Sequence, residues 1–274
     1  VKKIIILLLL GLSWQPCVDA QSENTINVEQ IVTKANHMAL YQGADSKGHV
    51  HMTITGKNGI TRVREFSILR RNIGNQDRDQ MYYTLFKRPA DVRKMAFMVH
   101  KHAALTKDDD RWLYLPGLDL VKRIAASDKR TSFVGSDFLY EDISGRSPDD
   151  DIHELIETTQ AHYVIKNTPK QPDSVEFMYY IAYIDKHNFM PMKMEFFKPQ
   201  DRLYRRIDVV QVDGVHAEFN GHSIVYPTVT VSVAKDLENG STTKMVFSNV
   251  AYNQGVSPRI FSERYLRRPP REAM

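Results

Sequence analysis

After Gly48 the chain alternates short runs of apolar and β-branched residues with turn residues, and this two-residue rhythm predicts consecutive antiparallel strands. Runs of this kind fall at Val50 to Thr55, Ile60 to Asn72, Gln80 to Lys87, Arg93 to Lys101, Arg111 to Leu115 and Leu118 to Ala126. They resume at His162 to Asn167, Val175 to Asp185, Pro191 to Lys198, Leu203 to Asp213, Val225 to Lys235 and Thr242 to Tyr252. Asn58-Gly59, Asn220-Gly221 and Asn239-Gly240, with Asp213-Gly214 as a relative, supply residues that tolerate positive φ and so predict hairpin turns. One helix is expected ahead of them, over 27–42, where Ile31, Ala35, Met38 and Ala39 recur near helical spacing and Gly43 stops the run. Ser147-Pro148 followed by three aspartates reads as a second helix start.

A strand buried on one face should be polar at every second position, yet several runs here are apolar on both. Met81 to Phe86, Met95 to Val99 and Phe177 to Ile184 are examples. With so few helices to cover a second face, the expected solution is a mainly β fold: a strongly curved, unclosed antiparallel barrel with a helix laid in its mouth. The interior would be rich in methionine and aromatic residues. Met81, Tyr83, Met95, Phe97, Trp112, Tyr114, Met178, Tyr180, Met192, Met194 and Phe196 are the expected lining of an apolar ligand cavity, because flexible, polarisable thioethers suit variable apolar ligands.

The first twenty residues stand apart. Lys2 and Lys3, the apolar run from Ile4 to Leu12 and the small residues ending at Ala20 form the pattern of a secretory leader cut after Ala20, leaving residues 21–274 as a single domain. Cys17, the only cysteine among the 274 residues, would leave with it, so disulfides, thiol catalysis and cysteine-ligated metal are not expected in the remainder. Removing the leader changes the formal charge from +4 to +3, too mild to point to nucleic acid.

Catalytic and cofactor signals are sparse. There is no nucleophile elbow, zinc-protease helix or phosphate-cradling glycine loop, so no catalytic residue, cofactor or metal is assigned. His49/His51 and His100/His102 could each chelate along a strand, but no further ligand stands at a recognised spacing, and they are read as solvated histidines. Lys122, Arg123, Lys129 and Arg130 form a local basic patch that reads as a solvated face or as a docking surface for an acidic partner or lipid head groups.

The stretch 108–146 carries the most specific detail. Trp112 and Tyr114 share one strand face, Leu113 and Leu115 the other, and Pro116-Gly117 ends the strand before the run GSDFLYED at 135–142. Together with FKRPAD at 86–91, MPMKME at 190–195 and the closing segment from Asn253 to Leu266, this stretch resembles the bacterial outer-membrane lipoprotein-sorting proteins, relatives of the periplasmic carrier LolA. The resemblance implies an unclosed β-barrel with a helical lid over an apolar cavity. It further implies a periplasmic, non-catalytic carrier of lipid or acylated lipoprotein cargo that works with an envelope membrane protein, since related members are often linked to resistance-nodulation-division (RND) type exporters. Pro116, Ser136, Asp137, Tyr140, Glu141 and Asp142 match its motif, in a structural or partner-binding role. A sensor or interaction module regulating a membrane-anchored partner on the same scaffold is the second expectation.

Overall fold

The computed structural model describes residues 26–74, 77–104 and 106–274; the leader pattern lies outside them. Helix α1 (Val28–Asn36) is followed by thirteen strands: β1 (Asp45–Thr55), β2 (Thr61–Ile73), β3 (Asp79–Arg88), β4 (Ala96–Lys101), β5 (Asp110–Leu115), β6 (Leu120–Ile124), β7 (Asp151–Thr158), β8 (His162–Pro169), β9 (Tyr179–Asp185), β10 (Pro191–Lys198), β11 (Arg202–Phe219), β12 (His222–Asp236) and β13 (Ser241–Tyr252). Two short α-helices, α2 (Tyr140–Ser144) and α3 (Glu263–Arg267), lie between β6 and β7 and after β13.

All the strands form one antiparallel sheet in the order β6-β5-β4-β3-β2-β1-β13-β12-β11-β10-β9-β8-β7. Both β6 and β7 are edges, so the sheet is curved but unclosed. The chain passes from one edge to the other through residues 125–150, and that crossing fills the concave side instead of completing the barrel. Phe133, Phe138 and Tyr140 from this infolded segment sit in the main core with Val50, Met52, Phe66, Tyr82, Phe86, Phe97, Phe196 and Met245. Phe133 is fully buried, and its ring centroid lies 5.4–5.9 Å from those of Phe66, Phe86, Phe97 and Tyr140.

The convex face of β2–β5 is covered as well. The chain after β13 runs back across it and buries Val256, Ile260, Phe261, Leu266 and Ala273 against Leu69, Tyr83, Leu85, Ala96, Met98 and Tyr114. Hydrogen bonds pin this strap: Tyr83 Oη donates to the Tyr265 carbonyl at 2.8 Å, and Arg71 donates to the Val256 carbonyl at 2.5 Å. The double-sided apolar runs at 81–86 and 95–99 therefore have two causes, curvature around a core and a covering strap with almost no periodicity of its own.

Most predicted strands lie within a few residues of those observed, and the three Asn-Gly pairs are the turns of the β1–β2, β11–β12 and β12–β13 hairpins. Two expectations need correction. Asp213-Gly214 is not a turn, because β11 continues through it with Gly214 opposite Pro227. The helix start at Ser147-Pro148 yields one 3-10 turn, Pro148–Asp150, and then β7; Thr158 and Thr159 with the branched Ile152 and Ile156 favour strand over helix.

Replacing Phe133 with Ala should lower stability by about 3–5 kcal/mol, since the crossing segment cannot follow the lost ring without drawing α2 inward. Urea unfolding checks this; a change below about 1 kcal/mol would mean the concave core is organised by the strands alone.

Candidate functional site

Side chains of the crossing segment hold it in place. Asp137 accepts from Ser241 Oγ and from Thr243 Oγ1 at the start of β13, while its N–H donates to Thr243 Oγ1 at 2.9 Å. Ser136 closes the local turn, donating to and accepting from the Phe138 backbone at 3.2 Å. Asp142 accepts from the Leu139 N–H at 2.6 Å, ordering the first turn of α2, and pairs with Arg205 on β11. Arg205 in turn lies 4.8 Å from the Phe196 ring.

Glu141 is buried among Arg130, Lys129 and Arg146. Burial pushes its carboxyl up, but the three cations outweigh it and hold the group below the usual range. Arg146 also meets Asp151 at 2.8 Å, and Asp151 accepts from Tyr180 Oη at 3.1 Å. Arg130 clamps Glu176 through Nε at 2.5 Å and Nη2 at 2.8 Å. Burial would raise Glu176, yet the hydrogen bonds and charge of Arg130 carry it down to about 2. Lys101 donates to the Ser144 and Gly145 carbonyls at 2.9 and 3.1 Å, and burial lowers its ammonium to about 8.

The segment fills only part of the bowl. Between it, α1 and β8–β12 lies a cavity of about 270 Å³. Val32, Ala35 and Leu40 from the helical side face Ala182, Ile184, Met190, Met194, Phe196, Ile207 and Val229 across it. Arg130, Glu141, Asp142, Arg146, His153 and Asn167 form its polar wall. These groups are committed to partners: His153 bridges Asn167 Oδ1 at 2.7 Å and the Pro148 carbonyl at 2.9 Å. The cavity is thus oily on one side and lined on the other by charges that already neutralise one another.

Helix α1 covers this space. Asn27 and Gln30 cap its start reciprocally at 2.8 and 3.1 Å, and Ile31, Val32 and Ala35 pack on Ile165, Ala182 and Ile184. It continues as a π-helical turn, His37–Tyr41, where Leu40 rests on Gly145. A Cβ at Gly145 would stand 2.2 Å from Leu40 Cδ1 at φ +78, so this contact requires glycine. Arg70 and Gln80 donate to the Leu40 carbonyl, and Asn72 donates to the carbonyls of Tyr41 and Gly43, so the helix is fixed to the sheet at its C-terminal end.

The expected cavity residues do not stay together. Tyr180, Met194 and Phe196 line the cavity, while Met95 and Phe97 belong to the filled part of the concave core. Met81, Tyr83, Trp112 and Tyr114 lie on the opposite face under the strap. Met178 is 44 % exposed, and a bulge between Pro191 and Lys193 interrupts the alternation at Met192, which is absent from the lining. Among the motif residues, Glu141 and Asp142 reach the cavity wall, Tyr140 enters the core, and Ser136 and Asp137 fix the segment. Pro116 starts the 3-10 turn between β5 and β6.

The second histidine pair is not solvated. His100 contacts the Phe261 carbonyl at 2.8 Å, and His102 meets Asp110 at 3.1 Å. Among the described residues no three His, Cys, Asp or Glu side chains gather to hold a metal. Sequence reasoning missed the helical wall at Val32 and Leu40 and the arginines Arg146 and Arg205, whose pairing with GSDFLYED has no local signal.

Because the unfolded carboxyl of Glu176 titrates near the ordinary value, the unfolded chain binds more protons between about pH 4.5 and 2. The contribution of Glu176 is therefore present at neutral pH and is lost as pH falls through that window. The stability gap between wild type and Glu176→Gln should shrink as pH is lowered from about 6 to about 3; urea midpoints across pH measure it, and a gap independent of pH would contradict the Arg130 clamp.

A family model described as "Uncharacterized protein" matches residues 78–268. No curated protein matches the chain. Among solved structures, a DUF1329 family protein from Desulfovibrio piger is 26% identical with a TM-score of 0.74, covering 87% of this chain and 98% of that one. A domain described as outer membrane lipoprotein-sorting from Vibrio parahaemolyticus, 23% identical, has a TM-score of 0.74 over 88% of this chain and all of its own. A LolA superfamily protein from Nitrosomonas europaea, 19% identical, reaches 0.62 over 88% and 99%. The match covers well over half of the sequence, so the chain belongs to the family of that model, and it shares its fold with the DUF1329, lipoprotein-sorting and LolA superfamily structures.

Proposed function

We propose that the protein is a non-catalytic periplasmic carrier that shelters acyl chains of a lipid or lipoprotein in the cavity beneath α1. The observation that carries this reading is the cavity itself: a space of about 270 Å³ with a continuous apolar wall, under a helix fixed at one end. Each methylene moved from water into such a trough contributes about 0.8 kcal/mol, so a short stretch of acyl chain repays the ordering of its bonds. The volume is just below the roughly 300–1,000 Å³ of ordinary ligand pockets. A full acyl chain enters as α1 swings outward about the π-helical turn, where the backbone already departs from α geometry.

The leader pattern of residues 1–20, cut after Ala20, fits delivery of residues 21–274 to the periplasm as one domain. The lipoprotein-sorting description of the Vibrio relative fits the cargo class. An envelope membrane protein, with an RND-type exporter as the candidate, would receive or supply the cargo.

Detergent-free protein should show a bound acyl species in native mass spectrometry. Met194→Asp should abolish retention by placing a carboxylate in the trough, and Ala39→Trp, at the exposed rim of the cavity, should slow uptake of a fluorescent fatty acid while leaving the unfolding temperature near wild type. A folded protein with a clean unliganded mass and no fatty-acid uptake would overturn the carrier reading.

A further inference from the structure

Three hairpin tips open from the same end of the sheet, because β1 to β6 alternate in direction without interruption: residues 56–60, 89–95 and 116–119. Two of them present large apolar side chains to solvent, Ile60 at 64 % exposure on the first, and Leu118 at 73 % with Leu120 at 46 % on the third. Isolated exposed side chains of this kind are ordinary. Their setting is not. Lys57 on the first tip, Arg93 and Lys94 on the second and Lys122 just past the third are exposed and form no ion pair with any described residue. The two acids among these tips are occupied: Asp119 accepts from Arg267 Nε at 3.1 Å, and Asp91 faces Arg64 at 3.4 Å. The result is a rim of protruding apolar tips and uncompensated cations.

We propose that this rim docks the protein on an anionic lipid bilayer, with Leu118 and Ile60 entering the head-group region and Lys57, Arg93, Lys94 and Lys122 meeting lipid phosphates. A protein partner would call for a groove or a continuous flat apolar patch with aromatic anchors, whereas these side chains stand on separate convex turns. A fluid, negatively charged surface accepts separate tips without shape complementarity and rewards apolar insertion and positive charge together. The surface is distinct from the cavity, so docking does not depend on the carrier reading.

Cosedimentation with vesicles tests it. The purified protein should sediment with phosphatidylethanolamine vesicles that contain phosphatidylglycerol, far less with phosphatidylcholine vesicles, and less as salt is raised. Leu118→Asp should weaken the anionic binding about tenfold, and Lys94→Glu about fivefold or more, both positions being exposed and the unfolding temperature unchanged. Met194→Asp, which disables the cavity, should still bind. No sedimentation with anionic vesicles at low salt, equal binding to both vesicle types, or full binding by Leu118→Asp would overturn the proposal. Loss of vesicle binding in folded Met194→Asp would overturn it too, by assigning the interaction to lipid uptake in the cavity.

Discussion

A carboxylate cannot stay ionised inside a protein without partners, and Glu141 meets that demand by drawing Arg130, Lys129 and Arg146 around it. The rest of the interior depends on this knot. Arg146 passes on to Asp151 at the first residue of β7, Arg130 to Glu176 ahead of β9, and the neighbouring Asp142 to Arg205 on β11. Buried ion pairs of this sort add little net stability compared with apolar packing, but losing one member leaves a stranded charge worth several kcal/mol. Their effect is positional: they specify where a segment with little regular structure crosses the bowl. Phe133, Phe138 and Tyr140 then have one place to go.

That placement explains why one fold holds both a filled core and a cavity. The aromatic side chains of the crossing segment fill the part of the bowl under β1 to β5, while its charged side chains Arg130, Glu141, Asp142 and Arg146 line the remaining space opposite Met194 and Ile207 and leave it open. Helix α1 covers what remains. Its C-terminal carbonyls are held by Arg70, Asn72 and Gln80, whereas its first turns rest on the sheet mainly through Ile31, Val32 and Ala35. If an apolar ligand enters, a cover that is hydrogen-bonded at one end and held by apolar contacts at the other would open from the apolar end, because those contacts can be exchanged for contacts with the ligand.

Most strands and the open-barrel class were legible because β-rich runs, Asn-Gly turns and runs apolar on both faces are local signals. Faces were not. Tyr83 and Phe97 lie on adjacent strands in runs that are apolar throughout, yet Tyr83 lies under the strap and Phe97 in the concave core. Only the tertiary path of residues 253–274 separates them, and that path follows from a few anchor residues such as Phe261 and Leu266 with no repeating pattern. Met81, Trp112 and Tyr114 were drawn into the expected cavity for the same reason. Glu141 and Asp142 stood out by their motif, but their arginine partners are far along the chain, and charge pairing at such separations has no periodic signature.

Direction along the strands relates the cavity to the exposed rim. Ile184, Met190 and Pro191 line the cavity at the end of the sheet where β1 begins and β9 turns into β10, and the carbonyls of the helical cover are anchored at that same end by Asn72 and Gln80. The tips bearing Ile60 and Leu118 stand at the other end of the strands. On a surface reached by those tips, α1 would face away from the lipid. If the cavity holds cargo, exchange would then take place on the side turned to the aqueous compartment, and the bilayer under the rim would position the protein without receiving the cargo directly.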